Sequence, residues 1–222
     1  MMLGSANSDY FFHFSQANIT NLKKELKIDC QKKVILYAPT FRDEDIELME
    51  GNLDKDRLYE IIKARIPVFS LSKLDDYIIL LRLHPQMRQA LTGIDLPNNF
   101  LDVCNYQDMK PLLAVSDILI TDYSDISIAY SILQRPMIFY AYDFDEYSKS
   151  RGFYIDYLSE VPGPIAYNEE ELYRIIEEND MYSDEYKRRL NLFNEKFNQL
   201  NDGKVCERFY KALCDGKFNI EN

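Results

Sequence analysis

The 222-residue sequence has no tryptophan, two histidines and four cysteines, and its cations are outnumbered. Cys30, Cys104, Cys206 and Cys214 are scattered, with no CxxC pair, which argues against a zinc site or a disulfide framework. They read as reduced packing residues of a cytosolic protein. Neither GxGxxG nor GxxxxGK[ST] occurs, so the dinucleotide fingerprint and the P-loop are both missing. No apolar run reaches the roughly 18 residues needed to cross a bilayer. Met1 to Asp9 lacks the basic start and apolar stretch of a signal peptide. With 26 Lys and Arg against 37 Asp and Glu, the net charge is −11, which argues against nucleic-acid binding, since a duplex needs a basic face. There is no internal repeat and no low-complexity linker.

What is present is a globular composition, 46% hydrophobic, with 17 Tyr and 13 Phe to supply an aromatic-rich core. The length allows one large domain or two small ones. An acidic chain binds an anion only where its cations gather. Arg42, Arg82, Arg88, Arg151 and Lys204 therefore carry more weight here than they would in a basic protein.

The most informative stretch runs from Ile118 to Ser127. Ile118-Leu119-Ile120-Thr121 leads straight into Asp122-Tyr123-Ser124-Asp125, then into helical spacing with Ile128, Ile132 and Leu133 as its apolar stripe. That pattern predicts a buried parallel strand, a tight turn and a helix N-terminus, with Ser124 as the N-cap. The turn then lies at the carboxyl rim of the sheet, where open α/β sheets bind ligands and helix ends favour anions. An ordinary capped helix after a core strand fits the same residues.

Further strands are expected at Val34 to Ala38, Tyr77 to Leu83, Phe100 to Val103, Met137 to Tyr140 and Ile165-Ala166. Helices are expected over Ile19 to Leu26, Asp54 to Arg65, from Asp108 through Val115, after Asn168, and over Asp184 to Gln199 and Gly203 to Leu213. Strands alternating with helices in this way predict a parallel α/β sheet with right-handed crossovers. Arg42, in the turn after the first strand, reads either as a phosphate clamp or as a surface arginine paired with Asp43 or Glu44. His84, beside Pro85 at the end of a strand and near Arg82, reads as ligand-facing, with a core-packed histidine as the alternative. His13 lies among aromatics and reads as a packed or partly exposed residue. Asp54-Lys55-Asp56 has the form of a metal-binding acidic motif, but first-turn acidic residues simply oppose the helix dipole, and the metal reading is rejected.

Several blocks resemble one family in order and spacing. They are Ile35-Leu36-Tyr37-Ala38-Pro39-Thr40-Phe41-Arg42-Asp43, Leu81-Arg82-Leu83-His84-Pro85, Ser116 through Ser124, Pro136-Met137-Ile138-Phe139-Tyr140 through Arg151-Gly152-Phe153-Tyr154 with Pro162-Gly163-Pro164, and Asp202-Gly203-Lys204. Together, from about Lys33 to the C-terminal helix, they resemble the CDP-glycerol glycerophosphotransferases that build teichoic-acid polymers. The resemblance implies a Rossmann-like parallel sheet with flanking helices, the C-terminal half of a GT-B architecture. Residues 1–31 would be a lead-in segment and 32–222 the CDP-binding domain.

The reaction implied is attack of a polymer-end hydroxyl on the β-phosphate of CDP-glycerol or a related CDP-polyol, with release of CMP. His84 would be the base or a donor to the pyrophosphate. Thr40, Arg42, Ser124 and the amides after it would hold phosphate oxygens. Asp122 would orient the turn or the donor's hydroxyls, with Arg82, Tyr123 and Asp125 beside it and Arg151 and Lys204 as further cations. No tightly bound cofactor and no metal are implied, CDP-glycerol being a substrate. The partners implied are a polymer acceptor and an N-terminal GT-B domain, in the same gene or in a partner chain. The location implied is cytoplasmic, at the inner face of the plasma membrane.

This chain departs from the family pattern at Asp125, where a second Ser is usual, and at Ile128-Ala129, where an aromatic-Asp pair is common. His13 does not map onto the family's other catalytic histidine. Two further functions fit the residues: a CDP-alcohol-binding module without catalysis, and half of a GT-B glycosyltransferase using another nucleotide sugar.

Overall fold

The computed structural model describes residues 2–42, 60, 65–83 and 95–216. His84, Arg88, the Asp54-Lys55-Asp56 motif, Asp43, Glu44 and most of the helix expected over Asp54 to Arg65 lie outside the described residues.

The described strands are β1 (Lys33–Tyr37), β2 (Tyr77–Leu81), β3 (Phe100–Asp102), β4 (Ile118–Thr121), β5 (Met137–Tyr140) and β6 (Ile165–Ala166). They form one parallel sheet in the order β3-β2-β1-β4-β5-β6, the order of a Rossmann sheet. Tyr37 is in register with Leu81 on one side and with Ile120 on the other. Ala38, Leu83 and Thr121 therefore fall on one carboxyl rim, as the strand pattern predicts.

The described helices are α1 (Asp9–His13), α2 (Gln16–Glu25), α3 (Val68–Leu71), α4 (Met109–Val115), α5 (Ile126–Ser131), α6 (Phe144–Ser150), α7 (Tyr157–Glu160), α8 (Glu169–Glu178), α9 (Asp184–Phe197) and α10 (Val205–Cys214). Local signals place several of them. The Asp108 carboxylate accepts from Lys110 N at 3.0 Å, Asn168 Oδ1 from Glu171 N at 2.9 Å, and Ser183 Oγ from Tyr186 N at 3.2 Å. Asn179, in the left-handed conformation at φ 56°, ends α8.

The strands are apolar along their whole length because both faces of the sheet are covered. Successive residues alternate between the two layers. Ile35, Tyr37, Ile118, Ile120, Ile138 and Tyr140 pack toward Leu71 of α3 and Leu172, Ile175 and Ile176 of α8. Val34, Leu36, Leu80, Leu119, Met137 and Phe139 pack toward Phe11, Leu22, Leu112, Tyr130, Tyr186 and Leu190. Phe11 and Leu22 come from the first 31 residues, so this segment is part of the second layer of the core. It is also tied to the C-terminal helix, since the Asp9 carboxylate accepts from Val205 N and Cys206 N at 3.0 and 2.8 Å.

Two sequence expectations need correction. Of the four cysteines only Cys104 packs in the core, while Cys30, Cys206 and Cys214 are exposed. The helix after β4 starts one residue later than expected, with Asp125 as its N-cap residue. Ser124 still contributes, because its hydroxyl accepts from Ile126 N at 3.4 Å. At the far edge, Gly163 is required by close approach: a Cβ there would lie 2.1 Å from the Met137 carbonyl oxygen.

Candidate functional site

In an open parallel sheet, the two neighbouring strands whose connections leave in opposite directions open a crevice at their carboxyl ends. Here those strands are β1 and β4. The loop after β1 carries Thr40 and Arg42, and the loop after β4 carries Asp122, Tyr123, Ser124 and Asp125.

One buried carboxylate joins the two loops. Asp122 Oδ1 accepts from Thr40 N at 2.8 Å, from Thr40 Oγ1 at 2.6 Å and from Tyr123 N at 2.6 Å. Asp122 Oδ2 accepts from Arg42 Nη2 at 2.7 Å. Just below, Thr121 Oγ1 donates to the Ala38 carbonyl at 2.8 Å.

The loop after β5 adds a second carboxylate. Asp143 accepts from Arg42 Nε at 2.7 Å, from Arg42 Nη2 at 3.1 Å and from the Tyr123 hydroxyl at 2.9 Å. Arg42 Nη1 donates to the Thr40 carbonyl at 2.7 Å. The guanidinium is flanked by the rings of Tyr123 and Tyr147, each 5.0 Å from its central carbon, and by Tyr142 at 5.9 Å. Burial by itself would lower the Arg42 pKa, but Asp122 and Asp143 outweigh it and hold the pKa above its ordinary value. The trio of one cation and two carboxylates carries one net negative charge.

In front of this brace lies an open cavity of about 660 Å³. Thr40, Asp122, Tyr123, Ser124, Asp125 and Arg151 line it, together with an aromatic wall of Tyr147, Phe153, Tyr154 and Tyr157. The wall is continuous: Tyr123 stacks on Tyr147 at 4.0 Å and Phe153 on Tyr157 at 5.0 Å. The Tyr157 hydroxyl donates to the Asp122 carbonyl at 3.2 Å. Burial first, then Asp143, raises the Tyr123 pKa; burial, then Asp122, raises that of Tyr157. Both hydroxyls are therefore neutral donors across the physiological range.

The remaining sequence candidates fall elsewhere. Arg42 sits behind the cavity, buried, and so is not a surface arginine. Arg82 turns toward the loop after β3, where its Nη1 donates to the Cys104 carbonyl. Lys204 is the exposed N-cap residue of α10, beside the N-terminal helices, and does not line the cavity. His13 is exposed, with its Nε2 3.2 Å from the Gly203 carbonyl oxygen. His84 lies outside the described residues.

Asp143, Tyr147, Phe153 and Tyr157 were not among the sequence candidates. Asp143 follows the end of β5 by three residues, so the rule that selects residues after parallel strands reaches it as well.

The model of the family described as CDP-glycerol:poly(glycerophosphate) glycerophosphotransferase matches residues 1–215. The teichoic acid glycerol-phosphate transferase of Staphylococcus aureus is 39% identical over 197 residues, 88% of this chain and 48% of that protein. The chain thus spans about half the length of that relative. A histidine-to-asparagine variant of the wall teichoic acid polymerase TagF soaked with CDPG superposes with a TM-score of 0.76 at 32% identity, over 97% of this chain and 52% of that one. A glycosyltransferase from Rickettsia africae shares the fold alone, at TM-score 0.55 and 14% identity, over 93% of this chain and 54% of that one.

Proposed function

The chain belongs to the CDP-glycerol:poly(glycerophosphate) glycerophosphotransferase family, and from that premise we propose that it holds the CDP end of a CDP-polyol donor. The reaction it serves is transfer of polyol phosphate to the terminal hydroxyl of a growing teichoic-acid-type polymer. The new bond joins that hydroxyl oxygen to the β-phosphorus, the bond from that phosphorus to the bridging oxygen breaks, and CMP leaves.

The observation that carries this reading is the Asp122 junction. It binds the loops after β1 and β4 to each other at the rim where the sheet opens, with a cavity of about 660 Å³ directly in front. Phosphoryl transfer is catalysed mostly by position and by fixed charge around the phosphate oxygens. Arg42 supplies position: its donors are spent on Asp122, Asp143 and the Thr40 carbonyl, so it sets the loop geometry from behind. Ser124 and Arg151 line the cavity, which supports the reading that they meet phosphate oxygens. The neutral aromatic wall suits the nucleoside, whose base offers π-faces. His84 is proposed as the base or as a donor to the pyrophosphate. An N-terminal domain, in the same gene or a partner chain, supplies the opposite wall of the cleft that positions the polymer acceptor, and no tightly bound cofactor takes part.

A second reading, a CDP-alcohol-binding module without catalysis, is favoured by Asp125, an exposed carboxylate lining the cavity where the family usually has Ser. Calorimetric titration with CDP-glycerol, CDP-ribitol and UDP-glucose tests the donor class. Tighter binding of a CDP-alcohol is expected. Equal or tighter binding of UDP-glucose would move the chain to the glycosyltransferases that share its fold.

A further inference from the structure

Two carboxylates line the cavity, and they stand in opposite states. Asp122 is buried and saturated by Thr40, Tyr123 and Arg42. Asp125 is exposed, and among the described residues its carboxylate makes neither a hydrogen bond nor an ion pair. It does not cap the helix it precedes: the Ile126 amide is met by Ser124 Oγ, and the Ser127 and Ile128 amides by the backbone carbonyls of Ser124 and Asp125.

The position of Asp125 is as distinctive as its state. A second cavity, of about 420 Å³, opens on the other side of the turn, lined in part by Asn7, Lys110, Asn198 and Asn201. Asp125 and Ile128 line both cavities, so the carboxylate stands on the ridge between them.

A carboxylate offers only acceptors. A phosphate oxygen at its side is repelled, while an O–H is attracted and forms a charge-assisted bond. The group that fits this ridge is therefore a neutral polyol hydroxyl. We propose that Asp125 is a specificity-determining residue that accepts hydrogen bonds from polyol hydroxyls and keeps phosphate groups off the ridge. This rests on the donor-binding reading above and adds which end of the ligand meets which wall. The pyrophosphate lies toward Ser124 and Arg151, and the polyol reaches Asp125. The hydroxyls come either from the donor's own polyol or from the acceptor's terminal unit.

The test is calorimetry on the purified 222-residue chain and on its Asp125→Asn and Asp125→Ser variants, titrated with CDP, with CDP-glycerol, and with glycerol 3-phosphate after saturation with CDP. The side chain is exposed and makes no bond, so both variants should fold. If the donor's polyol meets Asp125, its preference for CDP-glycerol over CDP should fall by about tenfold in Asp125→Ser, the size of one hydrogen bond to a charged group. CDP itself should bind equally well or more tightly. If the acceptor's polyol meets Asp125, the loss should appear instead in the glycerol 3-phosphate titration. Asp125→Asn keeps an acceptor oxygen at the reach of the carboxylate, which the shorter Ser hydroxyl does not, and should lose less than Asp125→Ser in either arm. Unchanged ratios in both arms would overturn the inference while leaving CDP binding intact. Failure of the wild-type chain to bind CDP at all would overturn the donor-binding reading and this inference with it.

Discussion

Arg42 and Asp122, 80 residues apart in the sequence, meet at 2.7 Å with both side chains buried, Arg42 at 7% and Asp122 at 1% exposure. Their contact exists because β1 and β4 are neighbours in the sheet although two other strands separate them in the chain. It joins the two loops that frame the cavity, and Asp143 completes it from a third.

Replacing Arg42 tests whether it is a brace or a ligand. Arg42→Ala leaves buried Asp122 and half-buried Asp143 without their cation, and removing one partner of a buried pair typically costs roughly 3–5 kcal/mol. Urea unfolding followed by circular dichroism should show a loss of that order. Unchanged stability with weakened nucleotide binding would instead mark Arg42 as a phosphate ligand.

Ligand preference comes next. If the second phosphate meets Ser124 and Arg151, as proposed, CDP should bind better than CMP. His84→Ala should weaken CDP binding by about 1.5–3 kcal/mol if the imidazole makes a charge-assisted bond to the pyrophosphate. Equal calorimetric affinities of the variant and the wild type for CDP would remove His84 from the binding site.

Turnover by the chain on its own should be negligible. It spans 48% of its Staphylococcus aureus relative, and a single Rossmann-like domain offers one wall of a cleft. Positioning the acceptor can be worth on the order of 7–11 kcal/mol of barrier, more than the 10²–10⁴-fold that general acid–base assistance typically supplies. The check is CMP release from CDP-glycerol with a lipid-linked acceptor. Acceptor-dependent release that vanishes in His84→Ala would mean that this chain is a complete catalyst.

Thiol reactivity should divide three to one. Burial, reinforced by Asp102, pushes the Cys104 thiol up to about 12, while Cys30, Cys206 and Cys214 are exposed. Ellman titration near pH 8 should count three thiols in the native protein and four in guanidinium. Four fast thiols in the native state would show that the β3 edge opens readily.

The Pro162-Gly163-Pro164 turn should tolerate no side chain. In Gly163→Ala the new methyl would meet the Met137 carbonyl, a backbone atom, at 2.1 Å. The turn must then separate from β5, where the Pro164 carbonyl accepts from Phe139 N at 2.9 Å. Thermal unfolding should show a clear drop in Tm, and Gly163→Ala unfolding at the wild-type temperature would disprove the close approach.

By itself, the sequence determined the alternation of strands and helices, and with it the rim on which Thr40 and Asp122 fall. Those features rest on local physics: continuous apolar runs suit strands covered on both faces, and Asp108 and Asn168 cap the helices that follow them. Five strands begin at the expected residue, of which β2 and β3 stop short at their carboxyl ends, and β1 is shifted by one position. What only the tertiary structure decided is who meets whom. Arg42 reads locally as a phosphate clamp or as a partner for its neighbours Asp43 and Glu44, yet the described structure pairs it with Asp122 and Asp143, across strand neighbours that no short-range pattern encodes. The cysteines look alike in sequence, and only packing separates buried Cys104 from its three exposed counterparts. Asp125 looks like one more turn residue until the fold sets it on a ridge between two cavities, its side chain capping nothing while the Ser127 and Ile128 amides go to backbone carbonyls.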